Sequence, residues 1–182
     1  MPRFDVMTFG ETMIRLSPPG FEQIGSAHTL ELRIGGSESN TAAALSCLGR
    51  KTAWWSKLPD NPLGRRIEAD IRRRGVDTSS VIWSDHGRAG VYFIEFGAHP
   101  RPHHVTYDRA LSAASTLSPE EVDWDILGEA KHLHLTGITC ALSNSCAQTV
   151  ERAVVEAKQR NLTVSFDVNY RAKLWAAPSC AT

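Results

Sequence analysis

The chain has 182 residues, of which 42% are hydrophobic and 22% charged, a composition typical of one globular domain with a buried core. Its 20 basic and 20 acidic side chains balance, which excludes a strongly basic surface, so no nucleic-acid partner is expected. The sequence has no apolar run of membrane-spanning length and no signal-like segment before its first strand pattern, which favours a cytoplasmic protein without a membrane partner.

The first part of the chain alternates strand and helix patterns. Glycines and prolines punctuate the apolar runs, and Gly49 and Gly75 follow two helical patterns as stop signals. The predicted elements, in chain order, are strands at 4–9, 13–16 and 30–34, a helix at 39–48, a strand at 52–58, a helix at 62–74 and a strand at 80–83.

The segment 89–109 interrupts this rhythm with two extended stretches, GVYFIEF and HHVTYDR, which predict a hairpin. The rhythm then resumes with a helix beginning near Ser118, a strand at 132–135, a helix at 144–160 and a strand at 163–168. Because several strands are continuously apolar, we expect a parallel sheet covered on both faces. The predicted fold is therefore an α/β/α three-layer core with a small antiparallel β lid.

A glycine pair at a strand end forms the first candidate site. Gly35 and Gly36 would let a ligand approach the backbone closely, and Asn40 offers a hydrogen-bond donor and an acceptor to hydroxyl groups. The alternative is a tight turn in which Ser39 or Asn40 caps the following helix. The segment has neither the third glycine of a dinucleotide fingerprint nor the Lys-Ser or Lys-Thr of a P-loop, so a nucleotide phosphate site is not expected here.

The hairpin forms the second candidate site. Tyr107 and Arg109 are two residues apart and share a strand face, while Tyr92 lies on the other strand. Together they could grip a carboxylate and sugar hydroxyls, although ordinary aromatic cross-strand packing is an equal alternative. The nearby histidines have no accompanying carboxylate or cysteine cluster, and the four cysteines form no CxxC pair, so no metal site is predicted.

A third candidate follows the strand at 163–168, where α/β proteins commonly place ligand sites. Arg171 could reach an anionic substrate or a transferring phosphoryl group. The alternative is a salt bridge between Arg171 and Asp167. The segment from Thr136 to Thr139 also ends a strand, and its Gly137 could serve only the turn.

These segments together resemble ribokinase-type (PfkB-type) carbohydrate kinases over essentially all 182 residues. The motifs that carry the resemblance are Gly10-Glu11 with Met13 and Arg15 to Gly20, Gly35-Gly36 with Asn40, Leu58 with Gly64, Tyr92, Tyr107 with Arg109, Thr136 to Thr139, and Asp167 to Arg171 with Leu174-Trp175. The resemblance implies one ribokinase-like domain portion at 1–182, with lid strands at about 11–17, 29–35, 89–98 and 102–109.

Within the family, Arg15 points to a subgroup. Fructokinase-like and ribokinase-like members usually carry an acid at this position, five residues after the first-strand glycine, to bind neutral sugar hydroxyls. Arg15 with the following Ser-Pro-Pro-Gly turn, and the Asn-Tyr-Arg at 169–171, instead look like 2-keto-3-deoxygluconate kinases. A sugar acid also suits arginine, because guanidinium binds a carboxylate in a planar, bidentate manner.

The resemblance also assigns roles to individual residues. Sugar hydroxyls would contact Gly35, Gly36 and Asn40, and the lid residues Tyr92, Tyr107 and Arg109 would close over the sugar. The backbone at Ile138 would lie beside the sugar, and Arg171 would hold the carboxylate of the sugar or the phosphoryl group during its transfer. The phosphoryl donor would be ATP with Mg²⁺, and a homodimer through the lid strands is expected from the family.

The sequence contains no Gly-Ala-Gly-Asp segment, which in this family supplies the anion hole and the catalytic base. We therefore expect that the chain is the N-terminal portion of a kinase domain, lacks the ATP-binding half and is inactive alone. Residues 176–182 complete no further element, which suggests that the chain ends early. Three alternatives stay open: fructokinase-type or ribokinase-type specificity, a non-catalytic sugar-acid binding or regulatory fragment, and a product without function.

Overall fold

A computed structural model describes residues 2–172 and 174–175, so the predicted early end at 176–182 lies outside the described residues. The strands are β1 (Phe4–Phe9), β2 (Met13–Ser17), β3 (Glu31–Gly35), β4 (Thr52–Trp55), β5 (Lys57–Pro59), β6 (Ile82–Ser84), β7 (Val91–Glu95), β8 (His104–Asp108), β9 (Ala130–Thr136) and β10 (Thr163–Asp167). The helices are α1 (Ser37–Cys47), α2 (Pro62–Arg73), α3 (Gly137–Cys140) and α4 (Asn144–Gln159), with 3₁₀ turns at Ala113–Thr116, Pro119–Glu121 and Trp124–Glu129.

The central sheet has the order β10-β9-β1-β4, and all its described pairings are parallel. On one face, Met7 and Leu133 are fully buried in a cluster with α4 residues such as Val150. On the other face, Trp54 is fully buried in a cluster with Ala42 of α1 and Ile67 of α2. Helices therefore cover both faces, which confirms the predicted α/β/α core with its parallel sheet.

A second sheet, here called the lid sheet, has the order β3-β2-β7-β8. The outer pairs β2–β3 and β7–β8 are antiparallel, as predicted for the lid, whereas the central pair β2–β7 is parallel. The parallel pairing is possible because a long connection through α1 and α2 separates β2 from β7. One face of the lid sheet packs Ile14 into the cluster around Trp54, which leaves Arg15, Tyr92 and Tyr107 on the opposite face.

Two predictions of local structure are wrong. The strand predicted at 52–58 breaks at Ser56, because β4 pairs with β1 while β5 pairs with β6 in a separate small sheet. The helix predicted near Ser118 is only a 3₁₀ turn, Pro119–Glu121. The Ser118–Glu121 capping box starts that turn, but the chain then becomes extended, and the Asp123 side chain caps the next 3₁₀ turn by accepting from the Asp125 N–H.

Candidate functional site

A polar cleft of about 360 Å³ lies between the lid sheet, the N-terminus of α1 and the carboxyl ends of the central strands. Glu11, Ile138 and Arg171 enter it just after β1, β9 and β10. Its lining residues are Glu11, Met13, Gly35, Gly36, Ser37, Asn40, Tyr92, Tyr107, Arg109, Ile138 and Arg171. The structure thus brings together every substrate-binding residue predicted above, although the role of each stays a prediction.

The glycine pair Gly35 and Gly36 lines one wall of the cleft, and a side chain at either position would collide with its neighbours. A Cβ on Gly35 would lie 2.4 Å from the Tyr92 hydroxyl, and one on Gly36 would lie 2.5 Å from Thr12 Oγ1. Gly36 is itself the N-cap of α1, and no side chain caps the helix there. The alternative in which Ser39 or Asn40 caps the helix is therefore wrong, and Asn40 faces the cleft from the first turn.

Arg109 is held in place by a buried carboxylate. Its Nη2 donates to Glu11 Oε2, and the Ser112 hydroxyl donates to Glu11 Oε1. The Glu11 side chain is only 1% exposed and that of Arg109 10%, so both charges are nearly removed from water. The sequence interpretation noted Glu11 within a family motif but gave it no role. Its position at the carboxyl end of a buried strand was the available signal.

The two lid tyrosines lie opposite each other in the β7–β8 pair. Their rings stack with centroids 5.9 Å apart, so the predicted cross-strand aromatic packing and the placement in the cleft occur together. Burial raises the pKa of Tyr92, and the neighbouring charge of Arg15 opposes that rise. Arg15 itself pairs in register with Tyr92 but does not line the cleft.

Arg171 reaches the cleft from the loop after β10. Its side chain is exposed, and its Nη1 donates to the Tyr170 carbonyl at 3.2 Å. No ion pair joins Arg171 to Asp167 in the described part of the chain, and Asp167 Oδ1 accepts the Asn169 N–H at 2.9 Å. Asn169 Nδ2 donates to Ser37 Oγ at 2.8 Å, which ties this loop to α1. Arg171 therefore keeps donors available for an anion.

Across residues 2–172 and 174–175, no helix is both long and apolar enough to cross a membrane. The same residues contain no group of three or more His, Cys, Asp or Glu side chains arranged to hold a metal ion. The cysteines among them, Cys47, Cys140 and Cys146, are all free thiols.

The parallel α/β/α core carries a polar cleft under a lid sheet at the carboxyl ends of its strands, the place where α/β proteins commonly bind small molecules. The chain belongs to the pfkB family of carbohydrate kinases, whose family model matches residues 3–182.

Named relatives agree with this family. A 2-dehydro-3-deoxygalactonokinase from Haloferax volcanii is 48% identical over 94% of this chain and 54% of its own length. A 2-dehydro-3-deoxygluconokinase from Bacillus subtilis is 34% identical over 95% of this chain and 53% of its own. The crystal structure of 2-dehydro-3-deoxygluconokinase from Thermotoga maritima superimposes with a TM-score of 0.91 at 42% identity, covering 94% of this chain and 53% of that one. The chain thus spans about half the length of these relatives.

Proposed function

We propose that the chain forms the sugar-binding part of a kinase that transfers the γ-phosphate of ATP to a hydroxyl of 2-keto-3-deoxygluconate or a closely related sugar acid. The observation that carries the proposal is the single cleft in which Arg171, Arg109, both lid tyrosines and the α1 N-terminus converge. Relatives named for 2-dehydro-3-deoxy sugar acids support the same substrate class.

The charges of the cleft favour a substrate with one carboxylate. Glu11 is the only acid that lines the cleft in the described part of the chain, and its charge is balanced by Arg109. Arg171 is then left as the uncompensated cation, and a guanidinium binds a carboxylate through charge-assisted hydrogen bonds. Asn40 and the tyrosine hydroxyls supply the neutral donors and acceptors that sugar hydroxyls require.

Gluconate-type and galactonate-type 2-keto-3-deoxy acids differ in the configuration of a single hydroxyl carbon. The relatives include enzymes named for each. A neutral hydrogen-bonding group discriminates hydroxyl positions more sharply than a charge does, because a polar group left unmatched under a bound ligand is costly, and Asn40, which is exposed in the cleft, is such a group. The binding of 2-keto-3-deoxygluconate and of 2-keto-3-deoxygalactonate should therefore be compared directly.

In the proposed function, ATP supplies the phosphoryl group and Mg²⁺ neutralises its phosphates. Both oxygens of Glu11 are already engaged by Arg109 and Ser112, so the acid in the cleft is not free to hold a cation. The residues of this cleft accordingly bind and orient the acceptor sugar.

We also propose a cytosolic location and a homodimer formed through the lid sheet. The free thiols of Cys47, Cys140 and Cys146 suit a reducing compartment. Strand β3 is an outer strand of the lid sheet and is partly exposed, and an exposed edge strand can pair with a second copy. Light scattering after size-exclusion chromatography tests the dimer, and a monomer at micromolar concentration would contradict it.

Calorimetry tests the substrate proposal with four ligands: 2-keto-3-deoxygluconate, 2-keto-3-deoxygalactonate, fructose and ribose. We expect the acids to bind at least about tenfold more tightly than the neutral sugars, because a charge-assisted contact contributes about 1.5–3 kcal/mol. Arg171→Ala should remove that preference. Arg66→Ala, which removes an exposed arginine of α2 that does not line the cleft, should leave the preference unchanged. Equal affinity for all four ligands would contradict the proposal.

A further inference from the structure

Glu38 is a buried acid that lies behind the cleft rather than in it. It belongs to the first turn of α1, between Ser37 and Asn40, which both line the cleft. Glu38 is only 1% exposed. Its carboxyl group does not line the cleft and instead contacts Thr136 and Thr139, where β9 joins α3.

Hydrogen bonds connect this carboxyl group to the opposite wall of the cleft. Glu38 Oε1 accepts from the hydroxyls of Thr136 and Thr139, each at 2.7 Å. The Thr136 Oγ1 in turn accepts from the Ile138 backbone N–H at 3.2 Å. The chain of contacts therefore runs from α1 through a fully buried threonine to the backbone of a residue that lines the cleft.

Gly10, which directly follows β1, leaves space for the Glu38 side chain. A Cβ on Gly10 would lie 2.2 Å from Glu38 Cδ, a distance at which side-chain and backbone atoms cannot coexist. The Gly10 carbonyl accepts from Trp54 Nε1 at 3.2 Å, which fixes the strand end beside the carboxyl group. Gly10, one of the residues in the family-like motif, thus makes room for Glu38 and not for a ligand.

The surroundings of Glu38 favour its neutral form. Its second oxygen, Oε2, has no hydrogen-bond partner in the described part of the chain. Burial raises the pKa of Glu38 above its ordinary value of 4.5, and the two threonine hydroxyls only partly oppose this effect. A neutral acid behind the cleft can position both walls without repelling an anionic sugar.

We propose that Glu38 is a positioning residue. It fixes Asn40 on α1 relative to Ile138 at the start of α3, so that the two walls of the cleft fit around the sugar acid. The inference rests on the proposed function for its ligand, but the positioning itself does not require a ligand. Both parts can therefore be measured separately.

Four variants test the role of Glu38. Glu38→Ala removes the acceptor, and Thr136→Val removes the hydroxyl relay while leaving Glu38 in place. Glu38→Gln keeps an oxygen for both threonines and stays neutral. Glu156→Ala, on α4, is the matched control, because Glu156 is 9% exposed and bonded to arginines far from the cleft.

The first readout is hydrogen exchange of the Ile138 amide, followed by NMR. We expect exchange to become about 5- to 13-fold faster in Glu38→Ala and Thr136→Val, because loss of one hydrogen bond of about 1–1.5 kcal/mol corresponds to that range. Exchange should stay within about twofold of the wild type in Glu38→Gln and Glu156→Ala. Unchanged exchange in Glu38→Ala would overturn the inference. Thr136→Val also removes the direct acceptor of the Ile138 N–H, so faster exchange there supports the role of Glu38 only together with faster exchange in Glu38→Ala, whereas unchanged exchange there overturns the inference even if Glu38→Ala does not fold.

The second readout is the affinity for 2-keto-3-deoxygluconate, measured by calorimetry. Affinity should fall at least about tenfold in the two disrupting variants and stay unchanged in Glu38→Gln and Glu156→Ala. An equal loss in Glu156→Ala would overturn the positioning role, because general destabilisation would then explain the result. If the wild type itself does not bind the acid, the proposed function fails, while the exchange readout still decides whether Glu38 holds the turn.

Discussion

The buried Glu11–Arg109 pair makes a specific prediction about stability. Glu11→Ala would leave the Arg109 guanidinium, whose side chain is 10% exposed, without its carboxylate and largely without water. It would also take the acceptor from the Ser112 hydroxyl, which precedes a 3₁₀ turn and caps it. We therefore expect a large loss of stability from this single substitution in the cleft.

The magnitude follows from the burial of both charges. Removing one partner of a buried ion pair costs about 3–5 kcal/mol, because the other charge stays buried and uncompensated. For a chain of 182 residues, each 1 kcal/mol lowers the melting temperature by about 2–4 °C, so Glu11→Ala should lower it by about 6–20 °C.

The control is a second ion pair in the same region that faces solvent. Arg88 and Asp108 form a pair whose side chains are 42% and 54% exposed, so Asp108→Ala should cost only about 0–1 kcal/mol. Urea denaturation followed by circular dichroism measures both variants. The Arg109→Ala variant and the Glu11→Ala/Arg109→Ala double variant complete a cycle in which the double variant should lose much less than the sum of the singles.

A loss below about 1 kcal/mol in Glu11→Ala, equal to that in Asp108→Ala, would refute this reasoning. So would strict additivity in the double variant, because two groups in direct buried contact should be coupled. Either result would mean that water reaches Arg109 in the absence of Glu11.

Three further predictions concern the cleft, the buried acid and the thiols. Gly35→Ala should push the Tyr92 ring out of the cleft, because the new Cβ would lie 2.4 Å from its hydroxyl, and should weaken sugar-acid binding about tenfold in calorimetry. Because the pKa of Glu38 is raised in the folded state, its stabilising effect is fully present below pH 4.5 and is lost as the pH rises through the folded pKa. Urea denaturation at several pH values should show this loss in the wild type and not in Glu38→Gln. Burial raises the pKa of the Cys146 thiol, so a thiol reagent should modify exposed Cys47 first and reach Cys146 only on unfolding.

Each of these predictions has a matched control or a contradicting result. Gly25→Ala, where a Cβ would meet nothing within 4 Å, should leave binding unchanged, and equal losses at Gly25 and Gly35 would contradict the steric argument. A stability difference between wild type and Glu38→Gln that is flat from pH 4 to pH 8 would contradict the raised pKa of Glu38. Modification of Cys146 at the rate of Cys47 in the folded chain would contradict its burial.

Local signals in the sequence predicted most elements of the fold. The pattern at 62–74 predicts a helix, and Asn61 starts α2 by accepting from the Leu63 and Gly64 N–H groups at 3.0 and 3.1 Å. The break at Ser56 was missed although Ser56 and Lys57 interrupt the apolar run, because polar residues also occur inside single strands and only the different partners of β4 and β5 divide this one. Pairing partners are set by tertiary structure, which a local pattern does not contain.

The difference between local sequence signals and contacts set by tertiary structure also applies to the candidate site. The cleft-lining residues predicted above follow strand ends or lie on the lid, and the family resemblance selected them where the local patterns left turns, caps or aromatic packing open. The hydrogen bonds of Glu11 and Glu38 could not be predicted, because their partners Arg109 and Thr136 are each 98 residues away along the chain. Glu38 in particular reads as an ordinary acid in the first turn of a helix, and only its burial distinguishes it.

The central claim is that this one cleft binds a sugar acid. The most direct measurement is NMR chemical-shift mapping of the isotope-labelled chain during titration with 2-keto-3-deoxygluconate. We predict saturable shifts that cluster at Asn40, Tyr92, Arg109 and Ile138. Absence of saturable shifts, or shifts confined to the separate groove beside Trp83, would contradict the claim.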